Sequence, residues 1–416
     1  MDKFIIEGGY SLKGKVKISG SKNAALPIIA ATLLTDKECV LHNIPHLNDT
    51  LVMNKLVNIL GSKVHFEGNT VRTQNKSIKE FKAPYELVKT MRASVYVMGA
   101  LLGRYNRAEV AMPGGCIIGE RPINLHLMGF ERLGAKISIE HGYIKAKVKK
   151  LKGADIYLDT VSVGATANIL MAAVYAQGET TIRNAAQEPH IVDLCLFLNK
   201  LGAKISGQGT NTIKLQGVSS LKGGSYDVIS DYIEAGTFMV AAAITNGKIE
   251  LENAPLENLE AVKDNLIDTG SEVRKGKKTL VVRGLKTPKP SKIDTAPYPG
   301  FPTDMQAQWM SLMSVSSGTS LINETIWEKR FMHVPELNRM GADITTKGNT
   351  AIVKGVKGLS GAPVMVSDLR AGASLVLAGL RAKGTTEISR IYHLDRGYEK
   401  IENKLEAVGA KIRRFK

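Results

Sequence analysis

A five-residue pattern built around one glycine recurs six times along the 416-residue chain, and this repetition limits the possible folds more than any other feature. Successive glycines of the pattern are 68 to 73 residues apart. A fixed period of this kind is typical of a repeated architecture, and six units of about 70 residues account for the whole chain. The copies read LGSKV, LGAKI, LGAKI, TGSEV, MGADI and VGAKI, and their glycines are Gly61, Gly134, Gly202, Gly270, Gly341 and Gly409.

Each copy of the glycine pattern lies between a predicted helix and a predicted strand. Apolar residues before it recur at three- and four-residue spacing, as in NDTLVMNKLVNIL, which indicates an amphipathic helix. The glycine then takes the left-handed position that ends a helix. A short alternating run such as AKISIE follows and is typical of a strand.

A second predicted helix recurs with the same period and is rich in alanine and other small residues. Its apolar character continues around much of the helix, which indicates burial in a bundle. We predict an α/β protein in which each unit holds one buried helix, one amphipathic helix and several strands. Because units of about 70 residues exceed the common solenoid repeats, we expect two globules of three units each. The buried helices are predicted to begin near Lys22, Arg92, Gly164, Glu234, Asp304 and Arg370.

The chain carries a formal net charge of +17, which favours anionic partners such as nucleic acid, an acidic membrane surface or phosphorylated metabolites. Nucleic-acid binding usually combines basic clusters with aromatic residues that stack on bases. Here aromatic residues make up only 6% of the chain, and the basic residues are dispersed. We therefore expect no nucleic-acid and no membrane partner, and we interpret most of the charge as a solvated basic surface.

Residue usage also bears on compartment and cofactors. Three cysteines form no disulfide framework, and eight histidines show no HExxH motif or paired CxxC, so no metal site is expected. The longest mostly apolar stretch, Ala24 to Leu34, is shorter than the roughly 20 residues that span a bilayer. The chain has no P-loop and no dinucleotide fingerprint, which argues against nucleotide hydrolysis and a nicotinamide cofactor. We expect a soluble cytoplasmic protein.

Several of the predicted buried helices begin with polar side chains. Helix N-termini attract anions, so the cations Lys22, Arg92 and Arg370 oppose the helix dipole and indicate an anionic ligand or partner. Serine and aspartate at a helix start also serve as simple caps, and this is the alternative interpretation for Ser162 and Asp304.

The segment MPGGCIIGERPINLH, residues 112–126, is the most unusual part of the chain. Its proline and glycines indicate a flexible loop, and Cys116 lies inside it near Arg121. An exposed thiol beside a cation has a lowered pKa and is reactive, whereas a lone cysteine is otherwise a small buried apolar residue. Both interpretations stay open for Cys116. Cys39 and Cys195 lie in apolar surroundings and are interpreted as structural.

Eight motifs in a fixed order together resemble one enzyme family. They read SGSKNAALP, TMRAS, PGGCxIGxRPxxLH, SVGATxNIxMAA, YPGFPTDMQAQ, RFMHVPEL, DLRAGASLVLAG and IYHxDRGYExIExKL. On these residues the whole chain resembles the UDP-N-acetylglucosamine 1-carboxyvinyltransferase family of enolpyruvyl transferases. The resemblance implies an inside-out α/β barrel with two domains of three repeats each. We expect one domain from residues 1–21 and 230–416 and an inserted domain from residues 22–229.

The activity implied by the resemblance is transfer of the enolpyruvyl group of phosphoenolpyruvate to the 3′-hydroxyl of UDP-N-acetylglucosamine. Phosphate is released through a tetrahedral intermediate, in the first committed step of peptidoglycan precursor synthesis. No metal, organic cofactor or obligate protein partner is implied. The alternatives are the shikimate-pathway enolpyruvyl transferase, which does not share the loop cysteine motif, and a non-catalytic basic paralogue that binds nucleic acid.

The resemblance also assigns roles to individual residues. It implies Cys116 as proton donor to the methylene carbon and target of fosfomycin, and Asp304 as acceptor of the sugar hydroxyl proton. Arginines suit the phosphate and carboxylate of phosphoenolpyruvate because they bind such groups in a bidentate manner. The catalytic set is Cys116, Asp304, Lys22, Arg396 and Asp368. The phosphoenolpyruvate set is Lys22, Asn23, Arg121, Arg330, Arg370 and Arg396. The UDP-N-acetylglucosamine set is Arg92, Arg121, Pro122, Ile123, Asn124, Leu125, Ser162, Val163, Gly164, Asp304 and Ile326.

Four positions depart from the family's commoner residues. Asn124 stands where an aspartate is usual, so the contacts to uracil are expected to be rearranged. Thr160 replaces a frequent lysine before VSVG, which removes one possible contact to the diphosphate. His190 and Tyr232 replace a frequent glutamate and a frequent arginine.

Overall fold

The computed structural model describes residues 2–76, 78–112, 123–276 and 279–416. Within these ranges the chain divides into two compact units. We call residues 2–19 and 230–416 the discontinuous unit, and residues 20–112 and 123–229 the inserted unit. Each unit encloses its own hydrophobic core, built largely from alanine, leucine, isoleucine and valine side chains.

The described part of each unit contains three four-stranded sheets. In the inserted unit, the first sheet contains, in spatial order, β14 (Gly224–Asp227), β3 (Cys39–His42), β5 (Thr70–Gln74) and β4 (Lys63–Glu67). The second sheet contains β6 (Lys82–Ala83), β7 (Arg107–Ala111), β9 (Tyr143–Lys147) and β8 (Lys136–Glu140). The third sheet contains β10 (Asp155–Tyr157), β11 (Glu179–Arg183), β13 (Thr212–Gln216) and β12 (Lys204–Ser206). In the discontinuous unit, the first sheet contains β2 (Lys13–Lys17), β15 (Lys248–Glu252), β17 (Thr279–Arg283) and β16 (Glu272–Lys275). The second sheet contains β18 (Lys292–Asp294), β19 (Thr319–Asn323), β21 (Thr350–Lys354) and β20 (Asp343–Lys347). The third sheet contains β22 (Pro363–Met365), β23 (Thr385–Ser389), β1 (Lys3–Glu7) and β24 (Lys411–Phe415).

All six sheets share one pairing pattern. In each, the first strand in the spatial order pairs parallel with the second, and the other two pairs are antiparallel. A parallel pair needs a long crossover connection, and a buried helix supplies it where the two strands follow one another in the chain, as in β10 and β11. The described residues therefore contain six four-stranded sheets that share one pairing pattern.

The helices fall into two kinds, as the periodicity predicts. The buried helices are α1 (Lys22–Ala31), α4 (Tyr96–Tyr105), α6 (Val163–Ala173), α8 (Tyr232–Ile244), α10 (Gln306–Met313) and α12 (Leu369–Arg381). The amphipathic helices that precede the glycines are α2 (Asn48–Ile59), α5 (Asn124–Arg132), α7 (Pro189–Lys200), α9 (Glu260–Asp268), α11 (Val334–Arg339) and α13 (Ile401–Ala407), and α3 (Tyr85–Val88) is an additional single turn. Among the described helices, none combines the length and the apolar composition that a membrane crossing requires.

The six repeat glycines have the backbone conformation that the sequence predicts. Their φ angles lie between 90° and 108°, a region that a side chain with a Cβ atom rarely adopts. Each glycine ends an amphipathic helix and turns the chain into the following strand. The predicted left-handed stops are therefore confirmed at all six positions.

Two buried helices begin differently from the prediction. Arg92 and Asp304 lie in 3₁₀ turns, Arg92–Val95 and Thr303–Met305, which come immediately before α4 and α10. Such turns are frequent at helix N-termini, where the first N–H groups have no partner inside the helix. Both predicted site residues therefore lie in a tighter turn that leads into the helix.

Candidate active site

Asp304 lies between two buried arginines of the discontinuous unit. One of its carboxylate oxygens accepts a hydrogen bond from Nη2 of Arg330 at 2.7 Å, and the other accepts one from Nη2 of Arg370 at 2.8 Å. The arginine side chains are 6% and 4% exposed, whereas the side chain of Asp304 is 28% exposed. One partly accessible carboxylate therefore pairs with two guanidinium groups that are almost fully removed from water, and the three groups together keep a positive charge.

The charges of this cluster decide its protonation. Burial by itself raises the pKa of the Asp304 carboxyl, but Arg370 and Arg330 outweigh burial and hold that pKa well below its usual range. Burial lowers the pKa of the Arg370 guanidinium, but the charge of Asp304 more than compensates and raises it above the ordinary value. Asp304 is therefore an anion at neutral pH, and a weak base as long as both arginines face it.

A hydroxyl and a second carboxylate orient Arg330. Nη1 of Arg330 donates to Oγ1 of Thr303 at 2.8 Å, and the Thr303 hydroxyl donates to Oε2 of Glu324 at 2.8 Å. Glu324 is buried, and its other oxygen accepts the backbone N–H groups of Ile326 and Trp327 at 3.0 and 3.1 Å. Because the Thr303 hydroxyl donates its hydrogen to Glu324, its oxygen lone pairs remain to accept the hydrogen bond from Arg330.

A buried hydroxyl pair orients Arg370. Nη1 of Arg370 donates to the Tyr398 hydroxyl at 3.1 Å, and that hydroxyl lies 2.9 Å from Oγ1 of Thr237. Nε2 of Gln308 lies 3.2 Å from both hydroxyls and donates to the backbone oxygen of Asp304 at 2.9 Å. Burial raises the pKa of the Tyr398 phenol, which therefore stays neutral and can accept the guanidinium hydrogen bond.

Each of the two arginines retains a buried donor. The Nε atoms of Arg330 and Arg370 are enclosed and have no hydrogen-bond partner among the described residues. A buried donor without a partner is costly, and a ligand oxygen would satisfy it. The cluster therefore has both the positive charge and the spare donors that an anionic substrate requires.

Asp368 and Arg396 lie in neighbouring segments of the same unit. Oδ1 of Asp368 accepts the backbone N–H groups of Arg370 at 3.0 Å and Ala371 at 3.1 Å, so this residue caps α12. Arg396 is the last residue of a 3₁₀ segment, Ile391–Arg396, and is partly exposed.

The inserted unit carries the remaining described site residues. Lys22 is the first residue of α1, and its Nζ lies 3.3 Å from Oδ2 of the buried Asp49. The sequence predicts an anion at this helix start, and Asp49 is one. Asn23 follows in the first turn of α1 and is partly exposed.

The predicted sugar-nucleotide residues of this unit lie at two helix starts. Ile123 precedes α5, Asn124 is its exposed first residue, and Leu125 is partly buried. Ser162 caps α6 by accepting the backbone N–H of Ala165 at 3.2 Å, so the simple cap interpretation applies to it. Val163 and Gly164 are the first two residues of that helix, and Arg92 begins the turn before α4.

The structure describes two of the three cysteines. Cys116, like Arg121 and Pro122, lies outside the described ranges. Cys39 and Cys195 are fully buried, and burial raises the pKa of each thiol to about 12. The structural interpretation of these two cysteines is confirmed. In the ranges that the structure covers, no group of three or more His, Cys, Asp or Glu residues could hold a metal ion.

The structure brings together Asp304, Arg330 and Arg370, which the sequence places in three different motifs. Sequence analysis missed the residues that orient them, including Glu324 and Tyr398. Tyr398 stands inside the DRGYE motif and could have been found there, whereas Glu324 is an ordinary glutamate after a strand and carries no local signal.

The chain is similar to known proteins along almost its whole length. Residues 6–405 match the model of the EPSP synthase (3-phosphoshikimate 1-carboxyvinyltransferase) family. A Geobacter metallireducens protein named UDP-N-acetylglucosamine 1-carboxyvinyltransferase is 56% identical over 416 residues, which cover 100% of both chains. The chain belongs to the UDP-N-acetylglucosamine 1-carboxyvinyltransferase group of the EPSP synthase family. A Caldanaerobacter subterraneus relative, named UDP-N-acetylglucosamine 1-carboxyvinyltransferase 1, is 55% identical over 99% of each chain. The family predicted from the eight motifs is confirmed.

Solved structures of an enolpyruvyl transferase and of an EPSP synthase show the same fold. The enolpyruvyl transferase NikO from Streptomyces tendae superposes with a TM-score of 0.89 at 24% identity, covering 99% of this chain and 98% of its own. EPSP synthase from Acinetobacter baumannii superposes with a TM-score of 0.76 at 19% identity, covering 100% of both chains. At these identities the likeness concerns the fold alone, and the predicted α/β class is confirmed.

Proposed function

We propose that this protein transfers the enolpyruvyl group of phosphoenolpyruvate to the 3′-hydroxyl of UDP-N-acetylglucosamine and releases phosphate. The observation that carries the proposal is the full-length relative at 56% identity, which bears the name of that enzyme. The reaction would start peptidoglycan precursor synthesis in the cytoplasm with two small-molecule substrates and no protein partner. The chemistry needs acids, bases and cations, all of which protein side chains supply, so we propose no cofactor.

The arginine cluster supports a site for phosphoenolpyruvate. This substrate carries a phosphate and a carboxylate, and Arg330 and Arg370 offer fixed guanidinium groups that bind such anions. We assign Lys22, Asn23, Arg121 and Arg396 to the same substrate by family resemblance. Cations held in place before the reaction stabilise the charge that develops on the leaving phosphate.

Asp304 would accept the proton of the sugar hydroxyl, and its surroundings suggest when it can do so. While both guanidinium groups face it, the pKa of Asp304 is held too low for efficient proton abstraction. Binding of an anionic substrate to Arg330 and Arg370 would draw their charge away from the carboxylate and raise its pKa. Phosphoenolpyruvate would in this way activate the base that the sugar nucleotide needs. Cys116, Lys22, Arg396 and Asp368 would complete the catalytic set.

UDP-N-acetylglucosamine would draw mainly on residues of the inserted unit. By family resemblance we assign to it Arg92, Arg121, Pro122, Ile123, Asn124, Leu125, Ser162, Val163, Gly164, Asp304 and Ile326. The position of these residues at the start of α6 supports this assignment, because a helix N-terminus suits the negative charge of a diphosphate.

We further propose that the six α/β units form two domains of three repeats, arranged as inside-out barrels. The shared pairing pattern of the six described sheets supports this architecture. The domains would comprise residues 1–21 with 230–416, and residues 22–229, close to the two compact units.

Cys116 would donate the proton to the enolpyruvyl methylene carbon. The prediction is that the epoxide fosfomycin alkylates Cys116 alone, because Cys39 and Cys195 are buried thiols whose pKa is raised to about 12. Peptide mass mapping after treatment checks this, with Cys116→Ser as the control. An adduct on Cys39 or Cys195 would contradict the assignment.

The proposed activity is tested by phosphate release from phosphoenolpyruvate with two acceptors. We expect release with UDP-N-acetylglucosamine and none with shikimate 3-phosphate. Release with shikimate 3-phosphate alone would indicate the shikimate-pathway enzyme, and release with neither would indicate a non-catalytic paralogue.

A further inference from the structure

One sheet of the discontinuous unit carries a row of like charges on its outer face. Lys13 of β2 pairs in register with Lys248 of β15, and Lys248 pairs in register with Arg283 of β17. All three residues are exposed, whereas the neighbouring positions Ile249 and Val282 are buried, so the three side chains share the solvent face. Like charges directly opposite one another destabilise a sheet. Strand pairing by itself therefore disfavours this row.

The carboxylates next to the row are engaged with other cations. Glu250 of β15 lies 3.2 Å from Nζ of Lys15, and Glu272, which pairs in register with Arg283, lies 3.1 Å from Nη2 of Arg274. The hydrogen bond from Lys15 lowers the pKa of Glu250, so this carboxylate is ionised at neutral pH. Among the described residues, none forms an ion pair with any member of the row. Three positive charges therefore stand side by side without a carboxylate of their own.

A cavity of about 740 Å³ opens on this row. Its lining includes Lys13, Lys15, Lys248 and Arg283, and Glu250 is the one carboxylate among the described residues that line it. The volume is within the range of small-molecule sites, roughly 300–1,000 Å³. None of the described lining residues is aromatic, so a nucleic-acid base would find no ring to stack on. The cavity therefore suits a ligand that is recognised by its negative charges alone.

We propose that Lys13, Lys248 and Arg283 bind a small polyphosphate, either the triphosphate chain of a nucleotide or an inorganic polyphosphate. Neighbouring strands lie about 4.8 Å apart, so the row extends over about 10 Å, and a chain that is charged at every phosphate can contact all three cations. The arginine binds phosphate oxygens with a planar fork, and the lysines act as point charges. Ser11 and Asn246, which also line the cavity, add a hydroxyl and an amide.

The site is separate from the proposed chemistry. Its residues belong to one sheet of the discontinuous unit, and none of them is in the catalytic set or in either substrate set. The inference therefore goes beyond the proposed function and does not depend on it.

Isothermal titration of the full-length protein tests the site with inorganic tripolyphosphate, ATP and AMP in magnesium-free buffer. Saturating UDP-N-acetylglucosamine is present throughout, so that the proposed substrate site is occupied. Lys248→Gln and Arg283→Gln each remove one charge of the row. Lys17→Gln is the matched control, because Lys17 is an exposed residue of β2 outside the cavity lining and pairs in register with Glu252.

The expected Kd for tripolyphosphate is at least about fivefold higher in Lys248→Gln and Arg283→Gln, because each loses one charged contact. In Lys17→Gln we expect Kd within about twofold of the unchanged protein. ATP and tripolyphosphate should bind within about threefold of one another, and AMP at least about tenfold more weakly, because the charges and not the base are recognised. Phosphate release from phosphoenolpyruvate should be the same in all variants.

Thermal unfolding gives a second readout. Without ligand, Lys248→Gln should raise Tm, because it removes repulsion within the row, whereas Lys17→Gln should not, because Lys17 faces Glu252. Tripolyphosphate should raise the Tm of the unchanged protein more than that of Lys248→Gln. A lower Tm in ligand-free Lys248→Gln would contradict the repulsion on which the inference rests.

Other outcomes would overturn the inference. No binding of tripolyphosphate, equal Kd values in all variants, or an equal loss in Lys17→Gln would show only a solvated basic surface. Tighter binding of a thymidine oligonucleotide than of tripolyphosphate, lost in Lys248→Gln, would assign the cavity to nucleic acid instead. If the unchanged protein releases no phosphate with UDP-N-acetylglucosamine, the proposed function fails, and the titrations with tripolyphosphate still decide this inference.

Discussion

At the scale of single residues, the candidate site is governed by one carboxylate that faces two arginines. Without Asp304, two buried positive groups would lose the carboxylate that binds both of them, which costs far more than the loss of an ordinary hydrogen bond. The same pairing weakens Asp304 as a base. Stability and catalysis therefore make opposite demands on this residue, and substrate binding is what would reconcile them.

Asp304→Asn should reduce both activity and stability. We expect kcat to fall at least about 100-fold, since the proton acceptor is lost. The free energy of unfolding should fall by about 2 kcal/mol, less than for a fully enclosed pair because the carboxylate is partly exposed. Steady-state kinetics and urea unfolding measure the two effects. Asp343→Asn, at an exposed strand position, is the control and should change neither.

The contribution of Asp304 to stability should depend on pH in one direction. Its folded-state pKa is depressed, so the contribution is complete above the unfolded-state pKa of about 3.9 and is lost as pH falls through the folded-state value. The difference in unfolding free energy between the unchanged protein and Asp304→Asn should stay constant from about pH 8 to about pH 5 and shrink below about pH 3.9. A difference that already shrinks between neutral pH and pH 5 would contradict the depressed pKa.

Tyr398→Phe tests the orientation of Arg370. The variant removes the hydroxyl that accepts from Nη1 of Arg370 and contacts Thr237. We expect the KM for phosphoenolpyruvate to rise about three- to tenfold and the free energy of unfolding to fall by about 1 kcal/mol. Tyr392→Phe is the matched control because Tyr392 is 49% exposed, and its kinetics should be unchanged. An unchanged KM in Tyr398→Phe would show that Arg370 needs no such support.

At the scale of secondary-structure elements, the repeat glycines act through backbone conformation. Gly134 has φ of 96°, and a Cβ atom added there would meet nothing within 4 Å. Gly134→Ala should therefore cost about 1 kcal/mol of unfolding free energy from backbone strain alone. Gly358→Ala is the control, since that position also has open space but no positive φ. Equal Tm values for both variants would contradict the backbone explanation.

At the scale of the whole molecule, each unit encloses a core and brings its own chain ends together. In the inserted unit, Ser21 N–H donates to the oxygen of Ile229 at 2.7 Å, and in the discontinuous unit, Asp231 N–H donates to the oxygen of Ser19 at 2.8 Å. We predict that each unit unfolds cooperatively on heating when it is made alone. The inserted unit would be made as residues 20–229, and the discontinuous unit as a chain in which residue 19 is joined directly to residue 230. Circular dichroism measures this. A broad transition with dye-accessible apolar surface would contradict autonomous folding.

Most of the net charge of +17 has no assigned partner. Arg330 and Arg370 serve the candidate site, but many other lysines and arginines lie on exposed strand positions. The basic surface is consistent with the solvated interpretation that composition favours.

The repeated helix, glycine and strand can be predicted from the sequence alone, because each depends on residues close together in the chain. Apolar spacing indicates a helix face, and a left-handed helix end favours glycine. The helix ends at Gly61 and Gly409 can therefore be predicted without the structure. The eight motifs likewise determined the family. The predicted starts at Arg92 and Asp304 were less accurate, because the choice between a 3₁₀ turn and an α-helical turn depends on packing.

The pairing of the charged residues, by contrast, depends on how the chain packs. Asp304 is 26 residues from Arg330 and 66 from Arg370 in the chain, and Nδ1 of His126 contacts an asparagine 42 residues away. Such distances carry no local pattern. The partners are set by how the helices of a unit pack together, and the energy of each pair depends on the burial that this packing creates. A pattern along the chain can therefore name the charged residues, but their pairing and their pKa values follow from the packed units.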